Sequence, residues 1–200
     1  ARRQRQMCIR DRSSDGRHTA AGWKATQFIP GQVRGRIDET AQMALRLDAA
    51  MAEVSLPNGQ RSDDFARAER SAWEETGEAY RPALLADVPL IPAHTALLAT
   101  TVYHGANPPG IVELVPSESP RPAGWGAALV IVDGLIAQAV DDGICQRFSH
   151  VPGMQELLLR AVSYRRHIND LHPTSRSNTR SHIERVEQHL VSQASAILER

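Results

Sequence analysis

The sequence predicts an α+β fold with an N-terminal helical hairpin, a small and mainly antiparallel sheet of three to five strands, and a C-terminal helix pair. Apolar residues recur at helical spacing before residue 82 and again after residue 152. Eight of the twelve prolines lie between Pro82 and Pro122. Because proline interrupts helices and central strands, this middle region favours short strands joined by turns.

Two amphipathic helices are expected before the proline-rich region. From residue 33 to residue 54 the apolar positions alternate in steps of four and three, which places them on one face of a helix. They are Val33, Ile37, Thr40, Ala44, Leu47, Met51 and Val54. A Pro-Asn-Gly turn at residues 57–59 ends this helix, and we expect Ser62 to cap a second helix that runs towards Pro82.

Short strands are expected in the middle of the chain. Residues 95–103 and 111–115 are enriched in threonine and valine and predict a hairpin, whereas residues 116–126 are typical of a surface loop. The continuous apolar run at residues 127–132 has the length of a strand covered on both faces.

The segment after this apolar run has two interpretations. Asp133 and Gly134 suit a two-residue hairpin turn, so we favour a returning strand over residues 135–140. The alternative is a helix that is capped by Asp133 and closed by Gly143.

Two further helices are predicted at the C-terminal end. Pro152 opens the first, whose apolar face ends near His172. Ser181 and Glu184 have the spacing of a capping box and predict the start of the last helix. Its apolar face consists of Ile183, Val186, Leu190, Ala194 and Ile197.

Residues 2–12 resemble the translated read-through of a transposase-tagging sequencing adapter over eleven consecutive positions. We therefore expect residues 1–12 to be an artefact without packed structure. Residues 13–200 are then expected to form a single α+β domain whose natural N-terminus lies upstream. Without residues 1–12 the chain keeps 18 of its 23 basic and 22 of its 23 acidic residues, a net charge of about −4.

Cys145 is the only cysteine outside the adapter-like segment, so no internal disulfide is expected and a cytoplasmic location is favoured. The most apolar stretch, residues 123–140, carries Asp133 near its centre. A charge at that position disfavours a membrane span. We recognise no motif for a cofactor.

An arginine cluster is the first candidate binding site. Residues 160–185 contain six arginines and two acidic residues, a local charge of about +4. Guanidinium groups beside a helix start suit phosphate oxygens, although a solvated loop between helices would look the same. The candidate residues for binding an anion or a nucleic acid are Arg165, Arg166, Arg176, Arg180 and Arg185.

A second group of residues has the chemistry of a catalytic site. His104, Asp133, Cys145 and His150 follow predicted strands, and a cysteine near a histidine is the minimum for thiolate catalysis. The same residue types also serve in turns and at core positions. The histidines form no i,i+4 pair or Cys/His cluster, so no metal site is expected.

The expected function rests on the amphipathic helices, since no stretch matches a catalytic or binding motif. Four such helices with few aromatic residues are typical of an assembly module, although such stripes more often pack within their own chain. We expect a non-enzymatic protein that associates with itself or with a protein partner through helix faces. The alternatives are nucleic-acid or phosphate binding through residues 160–185, and an enzyme that uses Cys145 with His150, or His104, together with nearby aspartates.

Overall fold

The computed structural model describes residues 26–56, 61–172 and 177–198, together with residues 21 and 23. Helices alternate with short antiparallel strands, which confirms the α+β class. The expectation that residues 1–12 lack packed structure concerns residues outside those described, and so does the expected turn at residues 57–59.

The helices of the described residues are α1 Ile37–Met51, α2 Asp64–Glu74, α3 Leu97–Thr100, α4 Trp125–Ile136, α5 Ile144–Arg147, α6 Met154–Leu171 and α7 Ser177–Leu198, with a 3-10 helix at Pro82–Leu85. The strands are β1 Gln32–Val33, β2 Leu90–Ile91, β3 Thr101–Tyr103, β4 Gly110–Ile111 and β5 Arg121–Pro122. One antiparallel sheet has the order β1-β3-β4, and β2 pairs with β5 in a second.

Helix α4 lies at the centre of the core, where a strand was expected. Ten of its twelve residues are buried, and α1, α6 and α7 pack around it. An apolar run that is covered on every side has no polar face, so its sequence does not distinguish a strand from a buried helix. The strand predicted at residues 127–132 was therefore wrong.

The hairpin predicted over residues 133–140 was also wrong. Gly134 lies inside α4, where an added Cβ would be 2.7 Å from the side chain of Ile37. The glycine therefore permits close approach of α1 and α4. Asp133 also lies within α4, so it neither forms a hairpin turn nor caps the start of a helix. Its carboxylate binds Arg165.

The predicted strands are shorter in the structure. Of residues 95–103 only β3 is extended, because residues 97–100 form the helical turn α3. Strand β3 pairs with β4 in the predicted antiparallel arrangement. Residues 116–126 are not a surface loop: Ser117, Arg121 and Pro122 are buried, and the Arg121 guanidinium binds Glu69 at 2.7 Å.

Two predicted helix starts are displaced. Asp63, and not Ser62, caps α2, since its carboxylate accepts the Ala66 N–H at 3.1 Å. Helix α2 ends at Glu74, well before Pro82. The capping box at Ser181 was wrong because α7 has already begun, and the Ser181 hydroxyl donates to the Asn178 carbonyl within that helix.

The apolar stripes of the four long helices are used inside the chain. Helix α1 packs mainly on α4, α2 packs mainly on α6, and α7 packs on α6 and α4. On α7, the stripe residues Ile183, Val186, Leu190 and Ala194 are all buried. The predicted C-terminal helix pair, α6 and α7, is therefore confirmed. The two N-terminal helices make their main contacts with α4 and α6 and not with each other.

A buried ion pair joins α6 to the end of α2. The Arg160 and Glu156 side chains are 3% and 1% exposed, and Nε of Arg160 lies 2.8 Å from Oε1 of Glu156. The Arg160 guanidinium also donates to the carbonyls of Ala72, Trp73 and Glu75. Those carbonyls at the end of α2 lack helical partners, so Arg160 caps the helix from outside.

We expect Arg160→Met to lower the free energy of unfolding by about 3–5 kcal/mol, because the variant leaves the Glu156 charge buried without its partner. Urea unfolding measures the change. The control is Arg180→Met, whose ion pair with Glu184 is exposed and whose loss should cost less than about 1 kcal/mol. Equal small losses in both variants would contradict the role of the buried pair.

A buried carboxyl in an apolar cavity as the candidate functional site

Asp48 is a buried carboxyl on α1 that faces the start of α4. The residue is 6% exposed, and its Oδ2 accepts the Gly124 N–H at 2.7 Å. Gly124 precedes α4 with φ +101° and has no side chain to cap the helix. The Asp48 carboxylate thus supplies, from another helix, the negative charge that a helix N-terminus favours.

The Asp48 side chain also lines a cavity of about 390 Å³. Most of the surrounding residues are apolar, and the ionisable ones are Asp48, Asp87 and His150. The apolar wall consists of Leu45, Ala49, Ala52, Val88, Pro89, Ile91, Ala123, Val151 and Pro152. An apolar cavity with a few polar groups is the usual form of a small-molecule site.

Burial raises the pKa of Asp48 from 3.8 to about 6, against the lowering effect of the hydrogen bond from Gly124. The group is therefore mostly ionised at pH 7, yet its charge is held among apolar side chains. Within the described part of the chain, Oδ2 has a hydrogen-bond partner and Oδ1 has none. A carboxyl with a raised pKa beside a cavity is a common mark of a functional site.

The predicted catalytic residues do not come together. His150 is exposed at the cavity of Asp48, whereas Cys145 lines a separate groove of about 690 Å³. His104 lines a third cavity near Tyr103. Asp133 is bound to Arg165 through two contacts of 2.6 and 2.7 Å. No two of these four groups therefore line the same one of these cavities.

The predicted anion-binding arginines mostly make contacts within the fold. Arg165 binds Asp133, Arg166 binds Glu75 and Glu187, and Arg185 donates to the Leu135 carbonyl at 3.1 Å. Arg180 is exposed and pairs with Glu184 on its own helix, and Arg176 lies outside the described residues. Residues 160–185 thus present fewer free guanidinium groups than their sequence indicated.

The pKa of Glu75 is shifted in the opposite direction from the pKa of Asp48. Its carboxylate accepts hydrogen bonds from Ser163, Arg166 and Tyr80. Burial alone would raise its pKa, but these bonds outweigh burial and lower the pKa to about 2. Glu75 is a satisfied structural anion that joins α2 to α6, so the cavity of Asp48 is the better candidate site.

Sequence reasoning missed Asp48 because it is a charged residue on the apolar face of α1 and was not counted among the stripe residues. The position is four residues after Ala44 and three before Met51, which places it on the same helix face. A lone carboxylate on an apolar face was the available signal. No sequence signal placed Asp87 and His150 at this cavity, because they come from segments that are distant in the chain.

The comparisons with protein-family models, curated proteins and solved structures found no match. Among the residues that the structure describes, no three or more His, Cys, Asp or Glu side chains are grouped as metal ligands. No helix in that part of the chain is both long and apolar enough to cross a membrane.

We expect the free energy of unfolding of Asp48→Asn to increase relative to that of the wild type as the pH rises. The pKa of Asp48 is about 6 in the folded protein and near 3.8 otherwise, so the folded state holds a proton that the unfolded chain has released. The contribution of Asp48 to the free energy of unfolding therefore falls as the pH rises from about 4 to about 6. Above this range the contribution stays lower by about 3 kcal/mol.

Asparagine cannot ionise but can still accept the Gly124 N–H. Urea unfolding at pH 4 and pH 7 should show the difference between variant and wild type shifting by about 2 kcal/mol in favour of the variant. The Glu53→Gln variant, which alters an exposed acid just after α1, is the control. Parallel pH profiles for wild type and Asp48→Asn would contradict the assigned pKa.

We expect Cys145 to react slowly with thiol reagents. Burial, followed by the charge of Asp142, raises the pKa of this half-buried thiol to about 11. At pH 8 the thiolate fraction is then about a hundredfold lower than in the unfolded chain. Iodoacetamide labelling of a Cys8→Ser variant, with and without urea, measures both rates. Equal rates would contradict the raised pKa, and faster labelling of the folded protein would indicate an activated thiol.

Proposed function

We propose that this chain is a small-molecule-binding protein, and that the cavity of Asp48 holds an apolar ligand carrying a cationic or hydrogen-bond-donating group. The single observation that carries the proposal is a buried carboxyl in the wall of an apolar cavity, one oxygen of which has no hydrogen-bond partner among the described residues. The cavity volume of about 390 Å³ is within the range typical of small-molecule sites.

The charge of the cavity favours a cation over an anion. Asp48 and Asp87 contribute negative charge, and the remaining wall is apolar except for His150. An ionised carboxylate among apolar groups is stabilised by a paired donor or cation and destabilised by a second anion. In a ligand of this kind, a protonated amine pairs with the Asp48 carboxylate and an apolar body packs against the apolar wall.

The energetic cost of Asp48 also supports a binding role. A carboxyl with a raised pKa lowers stability at neutral pH, and residues that do so are typical of functional sites. Association through helix faces has weaker support, because the described stripes of α1, α6 and α7 are largely buried within the chain.

The test measures binding of phenethylamine and of phenylacetate, which have similar apolar bodies and opposite charges. We expect the amine to bind and to raise the Tm, and phenylacetate to bind more weakly or not at all. Asp48→Asn should weaken amine binding at least about tenfold, since a hydrogen bond to a charged group is lost. Glu53→Gln, which removes an exposed acid, is the matched control.

The pH dependence gives a second readout. Amine affinity should fall as pH drops below about 6, because Asp48 then becomes protonated. Circular dichroism verifies that each variant is folded. Absence of amine binding, or equal binding by wild type and Asp48→Asn, would overturn the proposal.

A further inference from the structure

A second cavity, of about 560 Å³, lies where β1, the start of α1 and the end of β3 meet. Its ionisable lining residues are Arg34, Arg36, Tyr103 and His104, with Phe28 as an apolar wall. Among the described residues that line it, none is an aspartate or a glutamate. The cavity therefore has the opposite charge character from that of Asp48.

The two arginines of this cavity have weak competing contacts. Arg34 makes a 3.5 Å hydrogen bond to the Gln32 amide oxygen, which is at the long limit for such a bond. Arg36 pairs with Glu39 at 3.1 Å, but the two side chains are 45% and 57% exposed. An exposed pair of this kind contributes little free energy, so a ligand anion can compete with Glu39.

The aromatic floor of the cavity is held in place. The hydroxyl of Tyr103 lies 2.7 Å from the Thr40 hydroxyl, and the Arg36 guanidinium stacks 4.8 Å from the ring centroid. Gly31 packs on the Tyr103 backbone with φ +145°, where an added Cβ would be 3.0 Å from the Tyr103 carbonyl oxygen. The cationic groups therefore adjoin a fixed aromatic surface, and binding needs little reorganisation of that floor.

The surroundings favour a small anion over a nucleic acid. Binding along a nucleic-acid backbone requires an extended row of cations. Here α1 places Asp38 and Glu39 in its first turn beside the cavity. Asp38 is already paired with Arg147 at 2.7 Å, but acids at the rim still disfavour a long polyanion.

We propose that this cavity binds a small phosphorylated molecule, with its phosphate between Arg34 and Arg36 and its apolar or ring-shaped body against Phe28. Guanidinium groups form paired hydrogen bonds with phosphate oxygens. The volume exceeds that needed for phosphate alone, and the side of Phe28, which is 84% exposed, supplies apolar surface for an organic body.

The test is calorimetric titration of the full chain with phenyl phosphate, inorganic phosphate, benzyl alcohol and a single-stranded oligothymidylate. We expect phenyl phosphate to bind more tightly than inorganic phosphate, and benzyl alcohol not to bind. Arg34→Gln should weaken phenyl phosphate binding at least about tenfold, as the loss of a charged hydrogen bond predicts. In NMR spectra, the ring signals of Tyr103 and His104 should shift on binding.

Arg180→Gln is the matched control, because it removes an exposed guanidinium from α7 and should leave binding unchanged. Saturating phenethylamine should also leave phenyl phosphate binding unchanged, which separates this site from the cavity of Asp48. Three results would overturn the proposal: no binding of phenyl phosphate, equal binding by Arg34→Gln, or tighter binding of the oligothymidylate. Equal affinity for inorganic and phenyl phosphate would overturn the assigned organic body.

Discussion

The ion pair between Arg160 and Glu156 is the interaction on which the arrangement of α2 and α6 depends. Two opposite charges are buried there, and burial is tolerated only when each charge has partners. Arg160 reaches the carbonyls at the end of α2, and Oε2 of Glu156 accepts the Arg81 N–H at 2.6 Å. The segment between α2 and the 3-10 helix is therefore held by both members of the pair. Glu75, in the same segment, extends the connection through Arg166 to Glu187 on α7.

The central position of α4 imposes a different constraint. A helix buried on nearly every face has no polar surface near its N-terminus, and its first residue follows a glycine with no side-chain cap. The cap must come from a neighbouring helix, and Asp48 on α1 provides it. That arrangement keeps a carboxyl in an apolar environment and raises its pKa to about 6. The carboxyl in the wall of the proposed ligand cavity is thus a consequence of how the N-terminus of the central helix α4 is capped.

The basic residues divide into two groups with different roles. Those on α6 and α7 mostly bind carboxylates or carbonyls of the fold itself, as Arg165 does with Asp133 and Thr95. They contribute to the packing of the helices and leave little positive charge for a ligand. Arg34 and Arg36 lie at the edge of the small sheet, where their contacts are exposed. Density of arginine along the chain is therefore a poor guide to anion binding, since each nearby carboxylate removes one available guanidinium group.

Local physical chemistry determined the class of fold, the helical stripes of α1, α6 and α7, and the β3–β4 hairpin, because each depends on residues close in the chain. The presence of one cysteine outside residues 1–12 and the lack of a recognised motif also followed from the sequence. Only the tertiary structure decided that residues 127–132 are helical, because burial on all sides leaves no periodicity to read. It alone brought Asp48 to Gly124, and Asp87 and His150 to the same cavity. A site of this kind is made where distant segments of the chain meet, and the raised pKa of Asp48 depends on the burial that this meeting creates.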